Sequence, residues 1–311
     1  MAGPIRDVSH PDYSSTSASG FIPSLWSGKM VEKLYLSTCY GEIANTDYEG
    51  EVKNYGDSVQ IRTVPNIAIN DYEIGGGLTY QKPTSDKVEL QLDQAKSFSF
   101  EVNNIDAHQS DLQLMDKWSD DAGQQMSIAI DANIHAYAYT EVAAANAGDA
   151  AGVKSGSVNL GTTGAPVGIT KNDILDTIVD CGTILDEQNC PNTERFIVIP
   201  AWMNGMLKKS ELRDASAMGD STSVFRNGKV GMLDRFNVYV SNNLSTVVDG
   251  SDTVTNVIFG HKKALTFASQ MTEMEDLPNP NDFGKLVRGL NVFGRKVIDP
   301  NAIGHLYAKR G

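Results

Sequence analysis

From Lys87 to Asp106, "KVELQLDQAKSFSFEVNNID", the even positions Val88, Leu90, Leu92, Gln94, Lys96, Phe98, Phe100 and Val102 alternate with the odd positions Glu89, Gln91, Asp93, Ala95, Ser97, Ser99 and Glu101. Period two is the pattern of a strand with one face buried. It holds for about fifteen residues, or roughly 50 Å at strand rise. Upstream, "VQIRTVP" predicts a strand through Val59, Ile61 and Thr63. Between the two, Gly75, Gly76 and Gly77 separate short strand-like pieces. The pattern predicts an extended two-stranded excursion whose tip the glycines loosen.

The period then changes to 3.6. Met115, Trp118, Ala122, Met126, Ala129, Asn133, Tyr137 and Glu141 form one stripe, widened by Ile130, Ile134 and Ala138. Ser110 and Gln113 fit a capping box, and Gly148 fits a stop. The predicted helix is about 37 to 41 residues long, roughly 55 to 60 Å. Phe98 and Phe100 are expected to pack against it, with Met115, Trp118, Met126, Ile130 and Ile134 in the shared core.

Outside these two long elements the texture is ordinary. Residues 1–20 form a polar Ser/Gly/Pro-rich arm, and Leu25, Trp26, Met30, Val31, Leu34 and Tyr35 have helical spacing. Ala147 to Gly168 is Gly/Ala/Ser/Thr-rich and predicts a loop. Beyond it come a helix with Ile174, Ile178, Cys181 and Leu185 on one face, the buried strand "RFIVIP", a second helix entered from Pro200, and β-rich segments to the C-terminus.

With 311 residues and 41% hydrophobic composition, the chain can build a core in one or two domains. No apolar run approaches the eighteen or so residues of a membrane span, and the polar N-terminus predicts a cytoplasmic product. The net charge of −13 disfavours broad binding to a phosphate backbone. That charge is uneven: Phe283 to Gly311 carries six cations against Asp299, which leaves the preceding residues near −18. Such a skew is either a solvated surface or a face that meets a charged neighbour.

Candidate chemistry is sparse. The triple glycine is not a G-x-G-x-x-G, and no helix pattern follows it. His108, His135 and His261 are isolated along the chain, and Cys39, Cys181 and Cys190 fall in neither a C-x-x-C nor a disulfide framework. No G-x-S-x-G occurs. The carboxylates of the long helix, from Asp106 to Glu141, fit a solvated acidic face. No catalytic, metal or cofactor site is predicted; the unusual feature is architectural.

The order of polar arm, long β excursion with a Gly-rich tip, very long helix and compact α/β region resembles the major capsid protein of tailed bacteriophages, an α+β shell fold of the Hong Kong 97 type. The textures that carry it are "EGEVKNYGDSVQIRTVP", "SFSFEVNNID", "ERFIVIPAWMNGML" and "LNVFGRKVIDPNAIGHL". The resemblance implies an N-terminal arm (1–24), a first helix and connection (25–48), an E-loop with its return strand (49–104) and a spine helix of the peripheral domain (105–147). A flexible linker (148–169), an axial domain (170–260) and strands returning to the peripheral domain (261–311) complete it.

In such a fold the E-loop lies across a neighbouring subunit, so Gly75, Gly76, Gly77, Lys82 and Lys87 are its expected inter-subunit contacts. A few members crosslink an excursion lysine to an asparagine of a neighbour, and Lys82 and Lys87 lie near that place. The implied partners are further copies in hexamers and pentamers, a separate scaffolding protein (the short arm fits either that or a scaffolding segment already cleaved), a portal, a decoration protein in some members, and packaged DNA held weakly. Membranes and cofactors are not implied. The expected location is the virion capsid, assembled in the host cytoplasm. Two alternatives stay open: an encapsulin-like nanocompartment shell, and a cytosolic α/β enzyme with its pocket between Lys171 and Val240.

Overall fold

A computed structural model describes residues 35–36, 38–48, 58–65, 67–75, 77, 80–85, 87–103, 114–210, 231–280, 282 and 284–311. The arm, the helical spacing from Leu25 to Leu34, the Ser110/Gln113 box, His108 and Gly76 lie outside these residues. The first described helix is the single turn α1 (Tyr40–Ile43).

The centre of the molecule is β5 (Arg195–Ile199), buried at every position. Alternate residues leave a strand on opposite faces, so a strand apolar throughout must be covered on both sides. Ile197 and Ile199 meet Ile178, Cys181 and Leu185 of α3 (Ile174–Glu187) and Met203 and Leu207 of α4 (Ala201–Leu207). Phe196 and Val198 face the other way, toward Ile130, Ile134 and Ala138 of α2 (Leu114–Ala138).

Around β5 runs a seven-stranded mixed sheet. Its order is β4 (Val167–Ile169), β12 (Ile303–Arg310), β9 (Asp252–His261), β5, β7 (Phe236–Val240) and β6 (Met232–Leu233), with β8 (Thr246–Asp249) also on β9. β4 runs parallel to β12 and β5 parallel to β7; the other pairs are antiparallel. The fully buried Arg195 donates to Asp186 Oδ1 and to the Cys190 carbonyl at 2.7 Å each, and so ties the end of α3 to the first residue of β5.

The long alternation is two strands. β2 (Lys87–Gln91) pairs with β1 (Ser58–Arg62), while β3 (Gln94–Asn103) pairs with β11 (Gly284–Val297) in a three-stranded sheet completed by β10 (Leu265–Pro278). The break at Leu92–Asp93 is where the chain changes sheets. There the Gln91–Leu92 backbone passes so close over Gly294 that a Cβ at that position would collide with the Gln91 carbonyl. The longest strands are β10 and β11, fourteen residues each, joined as a hairpin and bulged between Ser269 and Met271.

Three further expectations need correction. The helix does not reach residue 147: α2 ends at Ala138 and a short 3₁₀ turn follows, Tyr139–Glu141. The Ala143 N–H donates to the Pro300 carbonyl, and the Asn146 amide donates to the carbonyls of Asn301 and Ile303. Tertiary hydrogen bonds thus claim the backbone that helix propensity alone would continue. Residues 148–169 are not a free linker. Ala151 and Leu160 are fully buried, Tyr307 N donates to Leu160 O at 2.7 Å, and the Glu187 carboxylate accepts from Lys154 N at 2.8 Å and from Ser155 N. Nor do residues 261–311 act as one unit: β10 and β11 build the smaller sheet, whereas β12 lies beside β9 in the larger one.

Candidate assembly surface

The base of the excursion is anchored in its own subunit. β1 and β2 pair antiparallel with Ser58 opposite Gln91 and Arg62 opposite Lys87. Ile61 and Leu90 are buried with Ala268 of β10, flanked by Val59, Val88, Leu92 and Ile298. Lys87 Nζ donates to Gln60 Oε1 at 3.2 Å across the pair.

Beyond Arg62 the chain leaves that support. Val64, Ile69 and Ile74 are 92%, 92% and 95% exposed, and Ile67, Tyr72 and Tyr80 are also exposed. Cross-links within the segment are polar and few: Ala68 N donates to Gln81 Oε1 at 3.0 Å, and Ser85 Oγ to the Thr63 carbonyl at 2.5 Å. At Gly75 and Gly77 the φ angles are +86° and +72°, and a Cβ at either would meet open space. Glycine is there for backbone conformation, not close packing. Lys82 lies on the exposed tip and Lys87 at its anchored base. A run of exposed large apolar side chains on an arm that its own core does not cover marks an interaction surface. The sequence carries a signal for it, apolar residues at Ile67, Ile69, Tyr72 and Ile74 with no facing strand pattern.

The expected core of strand and helix is distributed unevenly. Ile130 and Ile134 are buried, and Met126 is half-buried against the same cluster. The Met115 side chain lies outside the described residues. Trp118 is 37% exposed and sits at the rim, edge-on to Phe100 with ring centroids 5.9 Å apart. Phe98 stacks on Phe100 at 6.2 Å and lies over Gly289, its partner in β11, so its main support is the sheet, not the helix. The predicted central stripe is rotated: Ala129 is exposed, and the buried face is Ile130, Asp131, Ile134, His135 and Ala138.

That rotation overturns two sequence expectations. Asp131 is not solvated and His135 is not isolated; both are fully buried, and they meet Cys39 from the segment before α1. Burial and the nearby Asp131 push the Cys39 thiol far up. Burial would also raise Asp131, but His135, the Asn243 amide and the Cys39 N–H outweigh it and hold the carboxyl below its usual range. A pattern confined to one helix could not show this, because Cys39 joins the cluster from 92 residues away.

The basic C-terminal stretch is largely neutralised at home. Lys285 pairs with Asp276 at 3.2 Å, Arg288 with Glu275, Lys296 with Glu141 at 3.4 Å and Lys309 with Asp252 at 2.7 Å, while Arg295 lies over the Tyr137 ring. The basic end of the skew is thus compensated within the fold, and the net charge of −13 is left to the rest of the chain. No described helix is long and apolar enough to cross a membrane.

An anchored β hairpin with an uncovered apolar tip, a helix packed across one face of a mixed sheet and a long outer hairpin define a shell-forming subunit, and the comparisons place it. Residues 87–306 match the phage capsid protein family, and the chain belongs to that family: it is a major capsid protein with the Hong Kong 97-type fold. None of the curated proteins matches the sequence. Among solved structures, one from Mycobacterium phage Che8 superimposes with a TM-score of 0.76 at 26% identity, covering 92% of this chain and 97% of that one. The capsid of Cyanophage P-SCSP1u gives 0.73 at 16% identity over 94% of each chain. The mature capsid of bacteriophage PhiM1 gives 0.67 at 14% identity over 97% of each.

Proposed function

We propose that the chain forms the icosahedral head of a tailed bacteriophage around packaged double-stranded DNA, with residues 49–104 acting as an E-loop laid across a neighbouring copy. The observation that carries this reading is the tip of the excursion: Val64, Ile69 and Ile74 find no cover in their own subunit. Burying an isoleucine or valine side chain contributes about 1.5–3 kcal/mol, so three at each contact, repeated around a shell, make closure favourable. The positive-φ glycines let the tip re-aim between pentamer and hexamer positions. Lys82 is the excursion lysine placed for a covalent crosslink; Lys87, engaged with Gln60 at the base, is not.

The subunit works without catalysis. Its chemistry is surface complementarity, and net negative charge keeps the packaged duplex from sticking to the wall. A separate scaffolding protein, basic where it meets the coat, guides assembly in the host cytoplasm through contacts that weaken with salt. A portal completes the head, and in some heads a decoration protein does too. The test is expression of the full chain with and without its scaffolding partner, followed by electron microscopy and sedimentation. Closed shells, lost when scaffolding is mixed at high salt, are expected. A stable monomer under every condition, or turnover abolished by one substitution, contradicts the proposal. Cargo-enzyme genes in place of portal and terminase genes beside the coding sequence would point instead to a cellular compartment.

A further inference from the structure

Cys39, Asp131 and His135 are buried, and their donor atoms converge on one point in the core. Asp131 and His135 stand four residues apart on one face of α2, both fully buried, and Cys39 closes the site from the preceding segment at 5% exposure. Cys39 Sγ lies 3.3 Å from His135 Nε2, and Asp131 Oδ2 lies 3.5 Å from the same nitrogen. All three ligand atoms fall within 4.8 Å of one another.

Without a metal, Nε2–H can donate to Asp131 Oδ2 and the Cys39 thiol to the same carboxylate, with Ser241 hydrogen-bonded to the sulfur. Protons and a metal ion therefore compete for the same three donor atoms.

A metal ion at the centre would be reached by all three donor atoms at once. With metal–nitrogen and metal–oxygen bonds of about 2.0–2.1 Å and metal–sulfur of about 2.3 Å, the edges of a tetrahedron are about 3.3 Å for N···O and about 3.6 Å for S···N. The observed 3.5 and 3.3 Å are close to these edges. The carboxylate is oriented in advance: Oδ1 accepts from Cys39 N at 3.1 Å and Tyr40 N at 2.9 Å, and Oδ2 from Asn243 Nδ2 at 2.7 Å.

We propose that Cys39, Asp131 and His135 bind one transition-metal dication, Zn²⁺ above all, in a buried three-ligand site whose fourth position a water would complete. One sulfur, one imidazole nitrogen and one carboxylate oxygen are a borderline-soft set that suits Zn²⁺; Ca²⁺ and Mg²⁺ take all-oxygen shells. Binding releases the thiol proton of Cys39. The ion would staple two parts of the chain, the segment before α1 and the long helix, while Asn243 from the turn after β7 already holds Asp131 in place. His135 Nδ1 is buried without a hydrogen-bond partner, so the support that usually strengthens a metal-bound histidine is missing. The affinity should therefore fall below that of a dedicated zinc finger.

The full-length subunit, stripped with a chelator in reducing buffer, is titrated with Co²⁺ and followed by absorbance. One equivalent per chain is expected, with tetrahedral ligand-field bands and a thiolate-to-cobalt charge-transfer band. Zn²⁺ should displace the Co²⁺ and raise the melting temperature by several degrees. Cys39→Ser should lose the charge-transfer band and bind at least tenfold more weakly. Cys181→Ser, which removes a buried thiol remote from the site, should leave the band in place. Folded wild-type chain that shows neither the bands nor a Zn²⁺-dependent melting shift overturns the proposal; so does a charge-transfer band that survives Cys39→Ser.

Discussion

β5 and the excursion tip are both rich in aliphatic residues, yet they sit at opposite extremes. The five residues of β5 are buried on both faces, between α3 and α4 on one side and α2 on the other. Val64, Ile69 and Ile74 touch almost nothing of their own chain. The same kind of side chain therefore does two jobs. In β5 it drives the folding of one subunit; in the tip it is held in reserve for the next. The distinction lies in cover, not composition, and this makes it testable one substitution at a time.

The largest effect is expected at the centre. Ile197→Asp places an unpaired carboxylate between the sheet and α3, at a cost of several kcal/mol, and should yield no soluble folded subunit on expression. Acidification comes next. Burial pushes the His305 imidazole down from 6.5 to about 4. Between those values the unfolded chain holds a proton that the folded one refuses, so stability falls as pH drops and is steady above about 6.5. The full loss is about 3 kcal/mol, visible as a falling urea midpoint from pH 7 to pH 4, and His305→Gln should flatten much of that slope. Phe100→Ala removes the ring shared by Phe98 and the half-exposed Trp118. At this rim we expect about 1–3 kcal/mol by urea denaturation, below the range for a fully buried phenylalanine. Lys285→Ala breaks an exposed ion pair with Asp276 and should change stability by less than about 1 kcal/mol, as should raising the salt concentration.

How much of this was legible in the sequence depended on how local each signal was. β1, β2, α3 and β5 were readable because period and composition act over a few residues. The break at Leu92–Asp93 left a faint mark, since Gln94 and Lys96 are polar on the apolar register, but only the close crossing over Gly294 shows that the strands part there. The end of α2 was misjudged for a similar reason, since "YTEVAAAN" is good helix sequence until Asn146 finds the carbonyls of Asn301 and Ile303. Loop composition misled at 148–169, where small residues allow close packing against β12 instead of freedom. At the assembly surface the glycines and lysines were visible, but the exposed apolar residues that give the tip its driving force needed a burial pattern. Cys39, Asp131 and His135 could be joined only in three dimensions.

The central claim is that the tip contributes to assembly and not to folding. Ile69→Asp/Ile74→Asp tests it most directly, with wild-type and variant subunits compared by urea denaturation and by sedimentation of assembly reactions. Stabilities that coincide within about 0.5 kcal/mol, as for surface positions, are expected together with loss of closed shells in the variant. A variant that closes normal shells, or one that unfolds well before the wild type, would contradict it.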